Sequence, residues 1–258
     1  MDIKLTQTLI MCDYNNPELS KQFFHRAMKS IIKYQPADEI LLLENCSWNV
    51  FEESKHYKNA DVNWPFTIIR QKPIKLEDIK GNIHKHLKPE QILKYWHHTK
   101  DLVINSILYA KYDWVRTLDL DDEIRFNVKP IIQKLSSNEK IASIVGCTLI
   151  YDERLKNTNR YPYKECFHLG SGSANVYKKE IVAKVAKFWE PGPWPDFVLM
   201  KIIKMLDYEI HNLDEIFSIT HISNWNTRFR HKHLRIPWKI VEKNIEEFMK
   251  NEGFDYRF

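Results

Sequence analysis

Glycine is scarce in this sequence, with six in 258 residues, and the glycine-rich phosphate loops of several enzyme classes are missing. No GxxxxGK[ST] or GxGxxG sequence is present, which argues against P-loop NTPases and typical dinucleotide enzymes. The HExxH and paired-cysteine zinc signatures are absent as well. Any phosphate-binding site in this chain must therefore be built in another way.

Cysteine and long apolar runs are also rare. The four cysteines are too far apart for a CxxC metal knuckle, and we interpret them as buried thiols of a reducing compartment. No window approaches 18 consecutive apolar residues, and the N-terminal apolar stretch is too short for a signal peptide. We therefore expect a cytoplasmic protein with no transmembrane segment.

Charge and apolar content are those of an ordinary globular chain. Lys and Arg outnumber Asp and Glu by 39 to 34, a mild bias towards anions such as nucleotide diphosphates, lipid surfaces or nucleic acid. The 43% of apolar residues can form a substantial core, and no linker is visible. We predict a single domain with a first half (1 to 123), a second half (124 to 235) and a C-terminal helix (236 to 258).

The first half alternates short apolar runs with helical patterns, which is typical of βαβ units in a mostly parallel sheet with flanking helices. Strands are predicted at Thr8 to Cys12, Ile40 to Leu43, Phe66 to Ile69 and Trp114 to Leu118. One helix follows a cap at Asn16 with Pro17 in its first turn, and another spans Pro89 to Ala110. The fold class predicted is α/β.

The second half is less regular. Strands are predicted at Ile141 to Ile150, Ser173 to Tyr177 and Ile216 to Ile222. Helices are predicted at Lys179 to Phe188, Asp196 to Leu206 and Pro237 to Lys250. We expect these elements to extend one continuous sheet.

Four acids follow the strand that ends at Leu118: Asp119, Asp121, Asp122 and Glu123. Like charges this close repel, and a divalent cation supplies a counter-charge. In an extended segment the carboxylates of Asp119 and Asp121 leave on the same face and share one ion. Oxygen ligands favour Mn²⁺ or Mg²⁺. The alternative is a solvated acidic turn without a metal.

From Thr8 to about His221, the order of these features resembles the GT-A glycosyltransferases, especially the inverting family 2-like nucleotide-sugar transferases, whose strand ends in Asp-x-Asp-Asp-Glu. The resemblance implies a GT-A fold, a Rossmann-like nucleotide-sugar-binding architecture. It makes residues 1 to 123 the nucleotide-binding half and residues 124 to 235 the acceptor-side half. It also implies metal-assisted transfer of a sugar from a nucleotide-sugar donor, by default a UDP-sugar, to an acceptor hydroxyl.

The resemblance also implies roles for individual residues. It makes Asp119, Asp121 and His221 the ligands of the cation. It makes Asp196 the base that removes the proton of the acceptor hydroxyl. The alternative role of Asp196 is a helix cap after Pro195. The basic stretch around Arg228 either clamps the leaving diphosphate, binds an anionic acceptor or is a solvated loop. The predicted nucleotide-sugar contacts are Cys12, Tyr14, Glu44, Lys100, Asn105, Asp119, Gly172 and Arg228.

Two other functions compete with this interpretation. A nucleotidyltransferase also uses paired acids and a metal, but usually has a glycine-rich loop after its first strand, and this chain has none there. A nucleic-acid-binding module is the other alternative, based on the basic and aromatic stretch from 225 to 238. The acceptor hypotheses are a glycan, a glycolipid or a modified base in DNA.

Overall fold

The structure is a computed structural model, and it describes residues 3–11, 16–71, 89–152, 163–166, 172–191 and 195–222, together with Lys243 and Glu247. The described residues form a single sheet of nine strands. One sheet thus runs through both halves of the chain.

The first half supplies the parallel part of the sheet. Its strands are β1 (Leu5–Ile10), β2 (Glu39–Glu44), β3 (Thr67–Arg70) and β4 (Trp114–Asp119), and they pair with one another in parallel. Its helices are α1 (Pro17–Tyr34), α2 (Val50–Ser54) and α3 (Pro89–Leu108), and a short 3-10 helix follows α2 at Lys55–Tyr57. The carboxyl ends of these strands therefore meet at one edge.

The second half supplies a mixed part. It contains β5 (Asp122–Ile124), α4 (Lys129–Leu135), β6 (Ile141–Asp152), β7 (Tyr163–Cys166), β8 (Asn175–Lys178), α5 (Lys179–Val185), α6 (Pro195–Met205) and β9 (Glu209–Ile222). Strand β8 is antiparallel to both β4 and β6, whereas β9 runs parallel to β6. The short β5 lies at the edge of the sheet and pairs antiparallel with β9. The strand order is β3-β2-β1-β4-β8-β6-β9-β5, and β7 pairs with β6.

Apolar side chains bury helices against both faces of the sheet. The α1 stripe, which includes Phe24, Met28 and Ile31, packs with Leu9 and Leu42 on one face. On the other face, α3, α5 and α6 pack around Val115 and Tyr177. The side chain of Asn16 accepts a hydrogen bond from the backbone of Leu19, so the predicted cap of α1 is confirmed.

A buried arginine joins the two halves at the centre of the sheet. Arg116 on β4 is fully buried, and its guanidinium donates to the backbone oxygens of Phe126 and Phe217, each at 2.5 Å, and to Oε1 of Gln35 at 3.0 Å. Burial lowers the pKa of Arg116 to about 9. Two of these acceptors lie after β5 and on β9, so the parallel half is bonded directly to the mixed half.

The ring of Phe217 explains a glycine in β6. A Cβ on Gly146 would overlap the Phe217 ring, which also stacks on Phe126 with the ring centroids 5.0 Å apart. The register of β6 and β9 shifts at this point, between Val145 and Cys147. Close packing of an aromatic ring on the strand thus requires a residue without a side chain here.

Several predicted boundaries need correction. The predicted strand at Ser173 to Tyr177 begins instead with a 3-10 helix at Gly172–Ala174, and β9 starts well before the predicted Ile216. The short elements α2, α4, β5 and β7 were not predicted because they carry too few residues for a clear periodicity. The predicted helix at 237 to 250 lies almost entirely beyond the residues that the structure describes. Among the described helices, none has both the length and the apolar character needed to cross a membrane.

Candidate active site

The acidic segment forms a tight corner at the carboxyl end of β4. Asp119 is the last residue of β4, Leu120 and Asp121 form a turn, and Asp122 begins β5. The predicted extended conformation is therefore wrong for residues 120 and 121. Leu120 and Ile124 are fully buried in the core beside α1, and this burial fixes the corner to the sheet.

Asp122 anchors the corner rather than facing a ligand. Its side chain is almost fully buried, and Oδ2 accepts hydrogen bonds from Ser173 Oγ at 2.5 Å and from Thr220 Oγ1 at 3.0 Å. The Ser173 hydroxyl also accepts a bond from the backbone N–H of Asp119 at 3.0 Å. Ser173 thus connects both ends of the corner to the segment before β8.

Glu123 is held by basic groups on the other face of β5. Its Oε1 lies 2.7 Å from His221 Nε2, its Oε2 lies 2.9 Å from Arg125 Nη2, and Arg26 Nε is 3.9 Å away. Burial raises the pKa of Glu123, but the hydrogen bond from His221 and the charges of His221, Arg125 and Arg26 outweigh it and lower the pKa. Glu123 therefore stays ionised.

Among the described residues, no side chain compensates the carboxylate of Asp121. Its exposed fraction is 9%, and within this part of the chain it has no hydrogen-bond or salt-bridge partner. Its backbone oxygen accepts a 2.6 Å bond from Arg26 Nη2, so the turn itself is held firmly. A nearly buried carboxylate of this kind requires a counter-charge from outside the described residues.

The predicted cation ligands lie at this corner but do not form a compact ligand set. Asp119 is half-buried and Asp121 follows it in the turn, while His221 on β9 directs Nε2 to Glu123. Among described residues, the ligand atoms of Asp119, Asp121 and His221 do not all fall within 4.8 Å of one another. The two aspartates keep the oxygen donors that Mg²⁺ and Mn²⁺ prefer.

The predicted base, Asp196, lies at the start of α6. Asp196 is in the first turn of α6, where the helix N-terminus favours a carboxylate. Burial raises the pKa of Tyr177 well above its usual value, and the charges of Asp196 and Asp119 raise it further. Both carboxylates therefore act electrostatically on one buried phenol, with Asp196 making the larger contribution.

A polar cavity of about 360 Å³ lies at the carboxyl ends of β2 and β3, lined by residues 44 to 49 with Arg70 and Gln71. Glu44 is 5% exposed, and its Oε2 accepts a 3.2 Å bond from Arg70 Nε. Asn105 on α3 reaches the cavity rim through a 3.4 Å bond to Gln71 Oε1. Lys100 is half-buried on the same helix. Two of the predicted nucleotide-sugar contacts, Glu44 and Asn105, thus converge at one cavity.

Other predicted contacts are divided between the corner and the undescribed segments. Gly172 begins the 3-10 helix that carries Ser173, so it lies next to the acidic corner. Cys12, Tyr14 and Arg228 fall in segments that the structure does not describe.

Sequence analysis missed three residues that build the corner: Ser173, Thr220 and Arg26. Ser173 belongs to the small-residue segment before β8, and Thr220 directly precedes His221, so both were close to predicted positions. Arg26 had no such signal, because it is 95 residues from Asp121 in sequence. Its polar position on α1 resembles any solvated arginine.

Comparison with known proteins identifies the fold. No protein-family model and no curated protein sequence matches the chain. A solved structure of an S. aureus TarS segment in complex with UDP-GlcNAc matches with a TM-score of 0.55 and 10% identity, over 99% of this chain and 68% of that one. The chain has the GT-A fold.

Two further TarS structures agree. A second structure of the same TarS segment has a TM-score of 0.51 at 10% identity, over 96% of this chain and 71% of that one. A structure of a longer S. aureus TarS chain gives 0.50 at 10% identity, over 97% of this chain and 43% of that one. The predicted GT-A fold class is therefore confirmed, and in this GT-A fold the acidic corner and the polar cavity both lie at carboxyl ends of parallel strands.

Proposed function

We propose that the chain is a glycosyltransferase that moves a sugar from a nucleotide-diphosphate sugar, by default a UDP-sugar, to an acceptor hydroxyl. The observation that carries this proposal is the nearly buried Asp121 carboxylate, which has no partner within the described part of a GT-A fold. A neighbour in structure, S. aureus TarS, was solved with UDP-GlcNAc, which supports a nucleotide sugar as the donor.

The polar cavity beyond β2 and β3 is the proposed site for the nucleotide. Ligands of open α/β sheets bind outside the carboxyl ends of parallel strands. Glu44 offers a carboxylate to ribose or base donors, and Arg70 offers a cation that is 78% exposed at the side chain. The amide of Asn105 on α3 donates to Gln71, which lines the cavity, and Lys100 on the same helix is a further proposed contact. The cavity thus contains both acceptors and donors.

Asp119 and Asp121 are the proposed ligands of a Mn²⁺ or Mg²⁺ ion. When bound, such an ion neutralises charge on the departing diphosphate. Ser173 and Arg26 hold the backbone of the two aspartates, so their positions are fixed before the donor arrives. His221 is the proposed third ligand, and it reaches this role only if its Nε2 exchanges Glu123 for the ion.

Asp196 is the proposed base. In an inverting transfer the acceptor oxygen forms a bond to the anomeric carbon, and the bond from that carbon to the diphosphate oxygen breaks. The hydroxyl proton passes to the Asp196 carboxylate. The helix N-terminus under Asp196 favours the ionised form that accepts this proton.

The proposed acceptor is a hydroxyl group of a glycan, a glycolipid or a modified DNA base. The competing function as a nucleic-acid-binding module relies on residues 225 to 238, which are not among those that the structure describes. A salt-sensitive mobility shift with duplex DNA tests that alternative directly.

Donor hydrolysis across a panel of nucleotide sugars, with and without Mn²⁺, tests the proposed function. We expect one nucleotide sugar to be cleaved preferentially, and Mn²⁺ to be required. The Asp121→Asn variant should lose this activity, whereas Asp61→Asn, an exposed aspartate outside the site, should keep it. Equal cleavage by wild type and Asp121→Asn contradicts the proposed cation site, and no cleavage of any nucleotide sugar contradicts the proposed donor.

A further inference from the structure

A second group of ligand-type side chains lies away from the acidic corner, between α1 and the 3-10 helix after α2. It consists of His25, Glu53 and His56, and one ligand atom from each lies within 4.8 Å of the others. His25 comes from α1, and the other two come from α2 and the following 3-10 helix. The group therefore joins two elements that are adjacent in space.

The contacts of His25 hold its ring beside Glu53. Its Nδ1 is 2.8 Å from the Tyr57 hydroxyl, and its Nε2 is 2.6 Å from Glu53 Oε1. The Tyr57 hydroxyl also lies 3.4 Å from the backbone oxygen of His25. Tyr57 thus fixes one nitrogen of the ring, and the other nitrogen lies next to a carboxylate.

The Tyr57 hydroxyl holds His25 through the ring nitrogen that faces away from Glu53. A histidine that is a metal ligand usually has its second nitrogen fixed by a hydrogen bond of this kind. His25 thus already has the outer-shell partner that metal-binding histidines use.

The third side chain is available to solvent. His56 Nε2 lies 3.5 Å from Glu53 Oε1, and its side chain is 65% exposed. The His25 and His56 rings lie 5.4 Å apart, and both line a cavity of about 790 Å³. The three ligand atoms are therefore accessible to an ion from solution.

We propose that His25, Glu53 and His56 bind a divalent transition-metal ion, with a fourth coordination position open to the cavity. Two imidazoles and one carboxylate suit Zn²⁺, in contrast to the all-oxygen pair at the acidic corner. A Zn²⁺ ion at about 2.0 Å from each ligand atom needs the His25–Glu53 contact to open to roughly 3.3 Å in a tetrahedral arrangement. The exposed side chain of His56 and the partly exposed side chain of Glu53 permit this adjustment.

Zn²⁺ binding to the full chain, measured by titration calorimetry and by metal analysis after dialysis against buffered Zn²⁺, tests the proposal. We expect one Zn²⁺ per wild-type chain at this site. His56→Ala should weaken its affinity by about a hundredfold or more, and Tyr57→Phe by about 10–100-fold, the effect of removing an outer-shell partner. His56 is exposed, so its replacement leaves the core intact.

Two matched variants separate this site from others. His97→Ala removes another exposed histidine, and Asp121→Asn removes a carboxylate at the acidic corner. Both should retain the Zn²⁺ ion that His56→Ala loses. Equal Zn²⁺ affinity in the wild type and His56→Ala overturns the proposal, and so does a loss in His97→Ala that matches the loss in His56→Ala.

Discussion

Two neighbouring acids at the corner between β4 and β5 have opposite roles. Asp122, the first residue of β5, accepts hydrogen bonds from the hydroxyl groups of Ser173 and Thr220 and is almost fully buried. Asp121, in the turn before β5, is almost as buried but has no partner within the described residues. The comparison shows that a run of acids does not act as a unit, since each carboxylate takes its role from what the opposing strand offers.

The largest expected effect is on activity, in Asp121→Asn. We expect nucleotide-sugar cleavage to fall by about 10²–10³-fold, the loss typical when one electrostatic partner of a developing charge is removed. The free energy of unfolding should not decrease, because the carboxylate bonds to no other described residue. Donor hydrolysis and urea denaturation of the same sample measure the two effects. A clear loss of stability in this variant would mean that Asp121, like Asp122, anchors the fold.

The next largest effect is on stability, in Asp122→Ala. The substitution leaves the hydroxyls of Ser173 and Thr220 buried without their acceptor, and we expect a loss of about 3 kcal/mol in the free energy of unfolding. Urea denaturation compared with Asp61→Ala, at an exposed site, checks this value. A loss no larger than that of the control contradicts the anchoring role.

Glu123→Gln probes the basic face of the strand and should cost about 1–2 kcal/mol near neutral pH, because charge-assisted hydrogen bonds are lost. The pKa of Glu123 is lowered in the folded chain, so the stability it contributes is present above the ordinary value of 4.5 and is lost as the pH falls through the folded pKa. Unfolding of wild type and variant at about pH 7 and about pH 3 measures the change. A difference that grows on acidification contradicts this account.

Thr220→Val is the smallest change, because it keeps the shape of a buried side chain and removes one of the two donors to Asp122. We expect a loss of about 1 kcal/mol, since Ser173 still donates to the carboxylate. Thermal unfolding gives the value. An effect as large as that of Asp122→Ala would mean that Thr220 alone holds the corner.

The first half of the fold was predictable because parallel buried strands are continuous apolar runs. The runs that became β1, β2 and β4 were all found, and so was the Asn16 cap of α1. Strand β5 was not, because three residues that begin with Asp and Glu carry no strand pattern. Its pairing depends on Thr220 and Ile219, which are remote in sequence.

The position of the candidate site was predictable, but the roles of the individual acids in it were not. The location of the acids after a buried strand was clear from the sequence alone. The role of Asp122 is decided by Ser173 and Thr220, which lie 51 and 98 residues away. Single-sequence patterns report local spacing, whereas these hydrogen bonds form only when distant strands meet.

The guanidinium of Arg116 makes the chain difficult to cut into modules. A fragment of residues 1 to 123 retains this cation on β4 but lacks the carbonyl oxygens of Phe126 and Phe217. It would hold an ionised group in an apolar interior with most of its acceptors gone, a state that favours unfolding. Residues 1 to 123 therefore fold together with the second half of the chain. A chimera joined near residue 123 must keep the segments that contain Phe126 and Phe217.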